Sequence, residues 1–132
     1  MLTIIATIKP PYTSMIRLHK KLIEMRKTVP HDGMPFRVLV CESQSNGKIV
    51  CEFIVRRWDE KFVHELDEDF IYRNIGVSKK QAYEYANGKP LYLWYISDVI
   101  DYCNTKGYKV RHISEFGLKR PPQSWQYVKE VV

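Results

Sequence analysis

Apolar and polar residues alternate along this chain in short blocks whose period changes at prolines and glycines. Leu2 to Ile8 is apolar and rich in β-branched residues, and Lys9-Pro10-Pro11 ends it, so the pattern predicts a buried strand over 2–8. Pro11 suits the first turn of a helix, where a missing N–H is no loss. Tyr12, Met15, Ile16 and His19 then recur at helical spacing and predict a short amphipathic helix over 12–19. Past the basic run His19-Lys20-Lys21, residues 22–26 read as a strand. There Leu22, Glu24 and Arg26 fall on one face, and Lys21, Ile23 and Met25 on the other.

Two β-rich runs, Phe36 to Glu42 and Lys48 to Arg57, flank Asn46-Gly47, the pair favoured in a two-residue type I′ hairpin turn. Such a turn sets Glu42 opposite Cys51, Val40 opposite Phe53 and Val38 opposite Val55. Glu42 then ends an otherwise apolar face, whereas a bulge at Gly47 turns it outward. Asp59 to Asn74 is acidic and mixed, a helix or two short turns. Ser78-Lys79-Lys80-Gln81 has the spacing of a capping box and predicts a helix to Asn87, stopped by Gly88. Leu91 to Ile96 reads as a strand buried on both faces and extending toward Tyr102. A loop over Asn104 to Gly107, a strand over Tyr108 to Ile113, a turn at Ser114 to Gly117 and a closing strand Gln126-Tyr127-Val128 complete the pattern. This order, with short connections, predicts an α+β fold: a mixed, strongly curved sheet or small barrel with short helices at its rim, not a doubly wound parallel sheet.

The length of 132 residues fits a single domain over 1–132 with an ordinary core. No apolar run is long enough to span a membrane, and the apolar start lacks the basic lead of a signal peptide. Cys41, Cys51 and Cys103 are odd in number and lack metal-ligand spacing, which favours a reduced, cytoplasmic setting. His19, His31, His64 and His112 share no spacing, so neither a metal nor another cofactor is expected. Lysine and arginine exceed aspartate and glutamate by 21 to 15, a net +6. That excess suits a polyanionic partner, RNA or a nucleotide, because cations that neutralise phosphates release counterions.

Three groups of residues together resemble the ASCH family, a branch of the PUA-like superfamily. Ile8-Lys9-Pro10-x-Tyr12 followed by Lys21-x-x-Glu24-x-Arg26-Lys27 is similar to its opening signature. Cys41-Glu42-Ser43 with Val50-Cys51-Glu52-Phe53 resembles its next pair of strands. Ile75-Gly76-Val77-Ser78, the Tyr-rich helix after it, and Pro121-Pro122-Gln123-Ser124-Trp125-x-Tyr127 resemble its later landmarks. The likeness spans nearly the whole chain; it departs at His19, where a glycine is usual. It implies a PUA-like mixed β-barrel around a cleft, a role in RNA or nucleotide recognition, and, in some small members, an amidohydrolase activity on acylated cytidine.

Within that frame Lys9, Lys21, Arg26 and Lys27 are placed to hold a phosphate or polarise a base carbonyl. Glu24 and Arg26, on one strand face, form either a structural ion pair or a carboxylate aimed at a base amine. Glu42 is a further candidate on the hairpin. In Lys119-Arg120-Pro121-Pro122-Gln123-Ser124-Trp125 the prolines hold the chain extended, so Arg120 can meet a phosphate, Gln123 and Ser124 a base edge, and Trp125 a base face. The alternative for Trp125 is an indole that plugs one end of the barrel. The leading reading is an RNA- or nucleotide-binding module. A second is a hydrolase of an acylated or modified nucleoside with Lys21 and Glu24 as catalytic groups. The family's hydrolases use Lys, Thr and Glu; Lys21 matches the lysine, but Glu24 stands where the threonine does. A third is a protein-interaction module that engages partners through Asp59 to Asp69.

Overall fold

The computed structural model describes residues 1–31 and 33–128. Seven strands make one mixed sheet: β1 (Leu2–Ile8), β2 (Ile23–Arg26), β3 (Phe36–Glu42), β4 (Lys48–Lys61), β5 (Leu91–Asp101), β6 (Arg111–His112) and β7 (Trp125–Tyr127). Along the sheet the order is β2-β5-β4-β3-β1-β7, with β6 paired to β4 off that path. β1 and β3 run parallel; the other pairs are antiparallel. Helix α1 (Tyr12–Arg17) follows β1, and α2 (Glu68–Ile75) and α3 (Lys79–Ala86) lie between β4 and β5.

The sheet curls into a half-barrel around a buried apolar cluster. Ile4, Val38, Val40, Phe53 and Trp94 fill the concave side, and the edge of one ring meets the face of another where Phe36 packs on Trp94 at 5.2 Å. On the convex side α2 and α3 lay Ile71, Ile75, Ala82 and Ala86 over Ile23, Leu91 and Leu93. Farther round, Ile113 and Phe116 of a 3₁₀ turn cover Ile5, Leu39 and Ile49. A buried carboxylate, Glu52, sits on that side, tolerated because Arg37 donates two hydrogen bonds to it (2.9 and 2.8 Å) and the Tyr102 hydroxyl a third (2.6 Å).

Three expectations from the pattern change. The hairpin connection is five residues, 43–47, and Val38 pairs with Phe53 and Val40 with Cys51, followed by a bulge; Glu42 lies beyond the β4 ladder and neighbours Ile8 of β1. Two distant contacts and one local one hold it: Ile113 N–H donates to Gly47 O (3.0 Å) and His112 Nε2 meets Asn46 O (2.8 Å), while within the connection Ser45 Oγ donates to Glu42 O (2.6 Å). Strand β4 runs on to Lys61 because it keeps pairing with β5, so helix α2 begins only at Glu68. The strand expected over 108–113 shrinks to Arg111–His112, and Tyr108, Lys109 and Val110 are exposed. The capping box forms as expected: Ser78 Oγ accepts from Gln81 N–H and the Gln81 side chain accepts from Ser78 N–H. No described helix is long and apolar enough to cross a membrane.

Candidate functional site

Strands β2 and β7 are the two ends of the curled sheet, and among the described residues no backbone ladder joins them. Side chains close this seam instead. Arg26, on β2, donates from Nε to Glu24 Oε2 (2.7 Å), from Nη1 to Ser124 Oγ (3.2 Å) and from Nη2 to the Thr7 carbonyl (2.9 Å). A little farther along, the Trp125 indole N–H donates to Thr28 Oγ1 (2.9 Å), and Thr7 Oγ1 donates to Pro122 O (2.6 Å). Above this latch the seam opens into a cavity of about 310 Å³ bounded by the end of β1, by α1, by β2 and by α2 and α3. Thr7, Lys9, Tyr12, Lys21, Glu24 and Arg26 line it from one side; Ile75, Val77, Gln81 and Tyr85 line it from the other.

Lys21 reaches the cavity because the chain turns sharply after α1. His19 takes a left-handed conformation (φ 59°) at the position where the resemblance leads one to expect glycine, and Lys20 and Lys21 N–H both donate to Met15 O. Lys21 therefore precedes β2, and the strand alternation that set it opposite Glu24 and Arg26 does not apply. Its ammonium donates to Ile75 O (2.6 Å) and lies 3.5 Å from Glu24 Oε1. Gly76 allows α2 to end here: it is left-handed (φ 86°), and a Cβ would stand 2.5 Å from the Met15 methyl.

Lys21, Glu24 and Arg26 are 3%, 6% and 8% exposed. Burial pushes the Lys21 ammonium below its ordinary value despite the attraction of Glu24. Burial alone would raise the Glu24 carboxyl, but Arg26 and Lys21 outweigh it and hold Glu24 below the usual carboxylate range. Burial also raises the Tyr85 hydroxyl. Among the described lining residues, three cations (Lys9, Lys21, Arg26) face one carboxylate. Arg26 spends most of its five N–H groups on the latch, so the valences left for a ligand are those of Lys21, Lys9 and the free lone pairs of Glu24.

Of the residues singled out from the sequence, Lys9, Lys21, Glu24 and Arg26 line the cavity. Lys27 is exposed on its rim, its ammonium 4.7 Å from the centre of the Tyr85 ring. Ser124 touches Arg26, and Arg120 and Gln123 are exposed on the segment leading to it. Trp125 is half-buried, with its indole N–H engaged and its ring against Trp94 at 6.4 Å; it lines the seam rather than the cavity. Glu42 lies outside the cavity lining and accepts from Thr13 Oγ1 (2.5 Å). Thr7, Tyr12, Gln81 and Tyr85 were not identified as site residues. Gln81 was legible only as a cap and Tyr85 only as one of several helix tyrosines, because their approach to β1 depends on how α3 lies across the sheet. Among the described residues no group of His, Cys, Asp or Glu could hold a metal.

No protein-family model matches the chain, and no curated protein matches it. Solved structures do. An ASCH crystal structure from Zymomonas mobilis superposes with a TM-score of 0.74 at 16% identity, covering 96% of this chain and 87% of that one. A serine-to-alanine variant from the same organism gives 0.75 at 15% identity, covering 96% and 88%. A tyrosine-to-phenylalanine variant gives 0.72 at 14%, covering 96% and 90%.

Proposed function

We propose that this protein, whose fold is ASCH-like, is a binding module that takes one unpaired nucleotide, free or within RNA, into the seam cavity. The observation that carries this reading is the buried, mutually bonded Lys21–Glu24–Arg26 cluster opening onto about 310 Å³ between two tyrosine rings. That volume lies at the low end of the roughly 300–1,000 Å³ of small-molecule sites, room for one nucleotide unit and not for a stretch of strand. Glu24, held ionised and oriented by Arg26, accepts from an N–H on the base edge. Tyr12 and Tyr85 offer faces for the ring. Lys27 at the rim, with Arg120 and Gln123 on the closing segment, meets the flanking backbone. Phosphate contacts position the ligand, and Glu24 selects among bases.

Calorimetric titration with the four ribonucleotides and with short single-stranded RNAs tests this. The parent should discriminate among bases, and Glu24→Gln should reduce that discrimination about tenfold or more, in line with one base contact. Equal binding of all bases by parent and variant would reject the reading.

One feature favours a second reading, hydrolysis of an amide on a modified nucleoside. A buried amine of lowered basicity beside a carboxylate is a candidate general base. The threonine of the related hydrolases is replaced by Glu24, so Lys21 and Glu24 together would have to activate water. Incubation with N4-acetylcytidine should then release cytidine; an unchanged substrate removes this reading.

A further inference from the structure

We infer that the cavity is built for a terminal phosphate monoester: the nucleotide enters with its phosphate inward, on Lys21 and Lys9, and not with an internal phosphodiester. This rests on the nucleotide reading above and adds which end of the ligand is buried.

The argument begins with charge. Lys9, Lys21 and Arg26 line the cavity against Glu24 alone, which leaves a surplus of two positive charges among the described lining residues. Lys21 and Arg26 are almost wholly out of water and share the one carboxylate, while Lys9 is exposed. A buried charge without a full partner is strongly unfavourable, so the empty cavity is electrostatically incomplete. A neutral base cannot complete it. An internal phosphodiester brings a single negative charge, whereas a phosphate monoester brings about −1.5 to −2 at neutral pH, close to the surplus.

Geometry gives the same answer. The ammonium groups of Lys9 and Lys21 both stand near the ring of Tyr12, 6.0 and 5.3 Å from its centre. Lys21 commits one N–H to Ile75 O and a second toward Glu24, which leaves a third for a ligand oxygen. An internal phosphodiester placed there would need room for chain to run out in both directions. Arg26, bonded to Thr7 and Ser124, walls the cavity on the latch side. A terminal phosphate requires a single exit.

The test compares adenosine, adenosine 5′-monophosphate and ribose 5-phosphate by calorimetry at one ionic strength, with inorganic phosphate as competitor. The monophosphate should bind at least about tenfold more tightly than adenosine, the effect expected of a charge-assisted contact. Lys21→Met should abolish the difference, and Lys9→Gln, a change at an exposed side chain that leaves the core untouched, should reduce it. A matched RNA oligonucleotide with and without a 5′-phosphate separates an RNA end from a free nucleotide as the source of the group. Equal binding of adenosine and its monophosphate overturns this inference and leaves the nucleotide reading standing. Ribose 5-phosphate binding as tightly as the monophosphate supports the phosphate site and overturns the base-recognition reading. Failure of every compound to bind overturns both.

Discussion

Lys21 has an ammonium buried against one carboxylate and one carbonyl, so its presence works against folding, a cost that the proposed ligand contact would account for. Lys21→Met keeps most of the hydrocarbon stem and leaves Glu24 and Arg26 as a neutral pair. Thermal melting should therefore show stability unchanged or raised, by up to about 1–2 kcal/mol, while nucleotide binding is lost. Arg26 behaves oppositely. Arg26→Ala strips Glu24 of its guanidinium and unlatches the seam, and should cost about 3–5 kcal/mol by urea denaturation. Ser124→Ala, which removes one exposed acceptor, should cost about 1 kcal/mol or less. The buried acids set the acid limb of stability. Glu24 and Glu52 titrate below the unfolded value of 4.5, so their contribution is full above that pH and disappears as pH falls through their lowered folded values. Lys21, also lowered, gives a slope of the same sign: the unfolded chain binds its proton more tightly, so stability gains as pH climbs toward 10.5. Denaturation midpoints should fall on the acid side and again above pH 9.0, where the Cys41 and Cys51 thiols, pushed by burial up to about 11 and about 12, ionise more readily in the unfolded chain; the gain from Lys21 is read as the difference between parent and Lys21→Met. The Glu24–Arg26 contact was legible from strand alternation alone. Lys21 was placed on the wrong face, because its position depends on a left-handed residue at 19 and on a carbonyl 54 residues away.

At the level of elements, the hairpin and α3 show what local pattern reveals and what it hides. Ser78 and Gln81 cap each other within four residues, so α3 could be placed before any tertiary contact was known. Asn46-Gly47 carried an equally strong local signal, but His112 and Ile113 approach the turn from across the sheet, and a longer connection forms. A turn favoured by about 1 kcal/mol yields to several long-range hydrogen bonds. Two changes test how the helices hold the cavity. Ser78→Ala should destabilise by about 1 kcal/mol and weaken ligand binding, since α3 carries Gln81 and Tyr85 to the cavity. Gly76→Ala meets both a left-handed backbone and the Met15 methyl, and should cost about 1–3 kcal/mol. Adding Met15→Ala should recover part of that loss, because it removes the clash and leaves the backbone strain; full recovery would mean that the left-handed backbone contributes nothing.

Across the whole molecule the net charge of +6 and the exposed Lys9, Lys27 and Arg120 around the cavity predict that the proposed RNA binding is salt-dependent. Contacts to about three phosphates of a single strand give a slope of roughly −2 in log affinity against log salt concentration. Titrations at two ionic strengths with equal affinity would exclude those contacts. The class of fold was readable from short β-rich runs, scarce long helices and the ordered resemblance. The seam was not, since nothing local in residues 23–26 or 125–127 says that their strands become neighbours without pairing. β1 lies between β3 and β7, and its last carbonyls and Thr7 are also where Arg26 and Ser124 meet. During synthesis the first strand must therefore wait, with one edge bare, until residue 127 has left the ribosome. The fastening of the cavity is thus late, though its walls are early: a nascent protein halted at residue 120 would carry every side chain that lines the cavity, but Arg26 would still lack Ser124 to hold it.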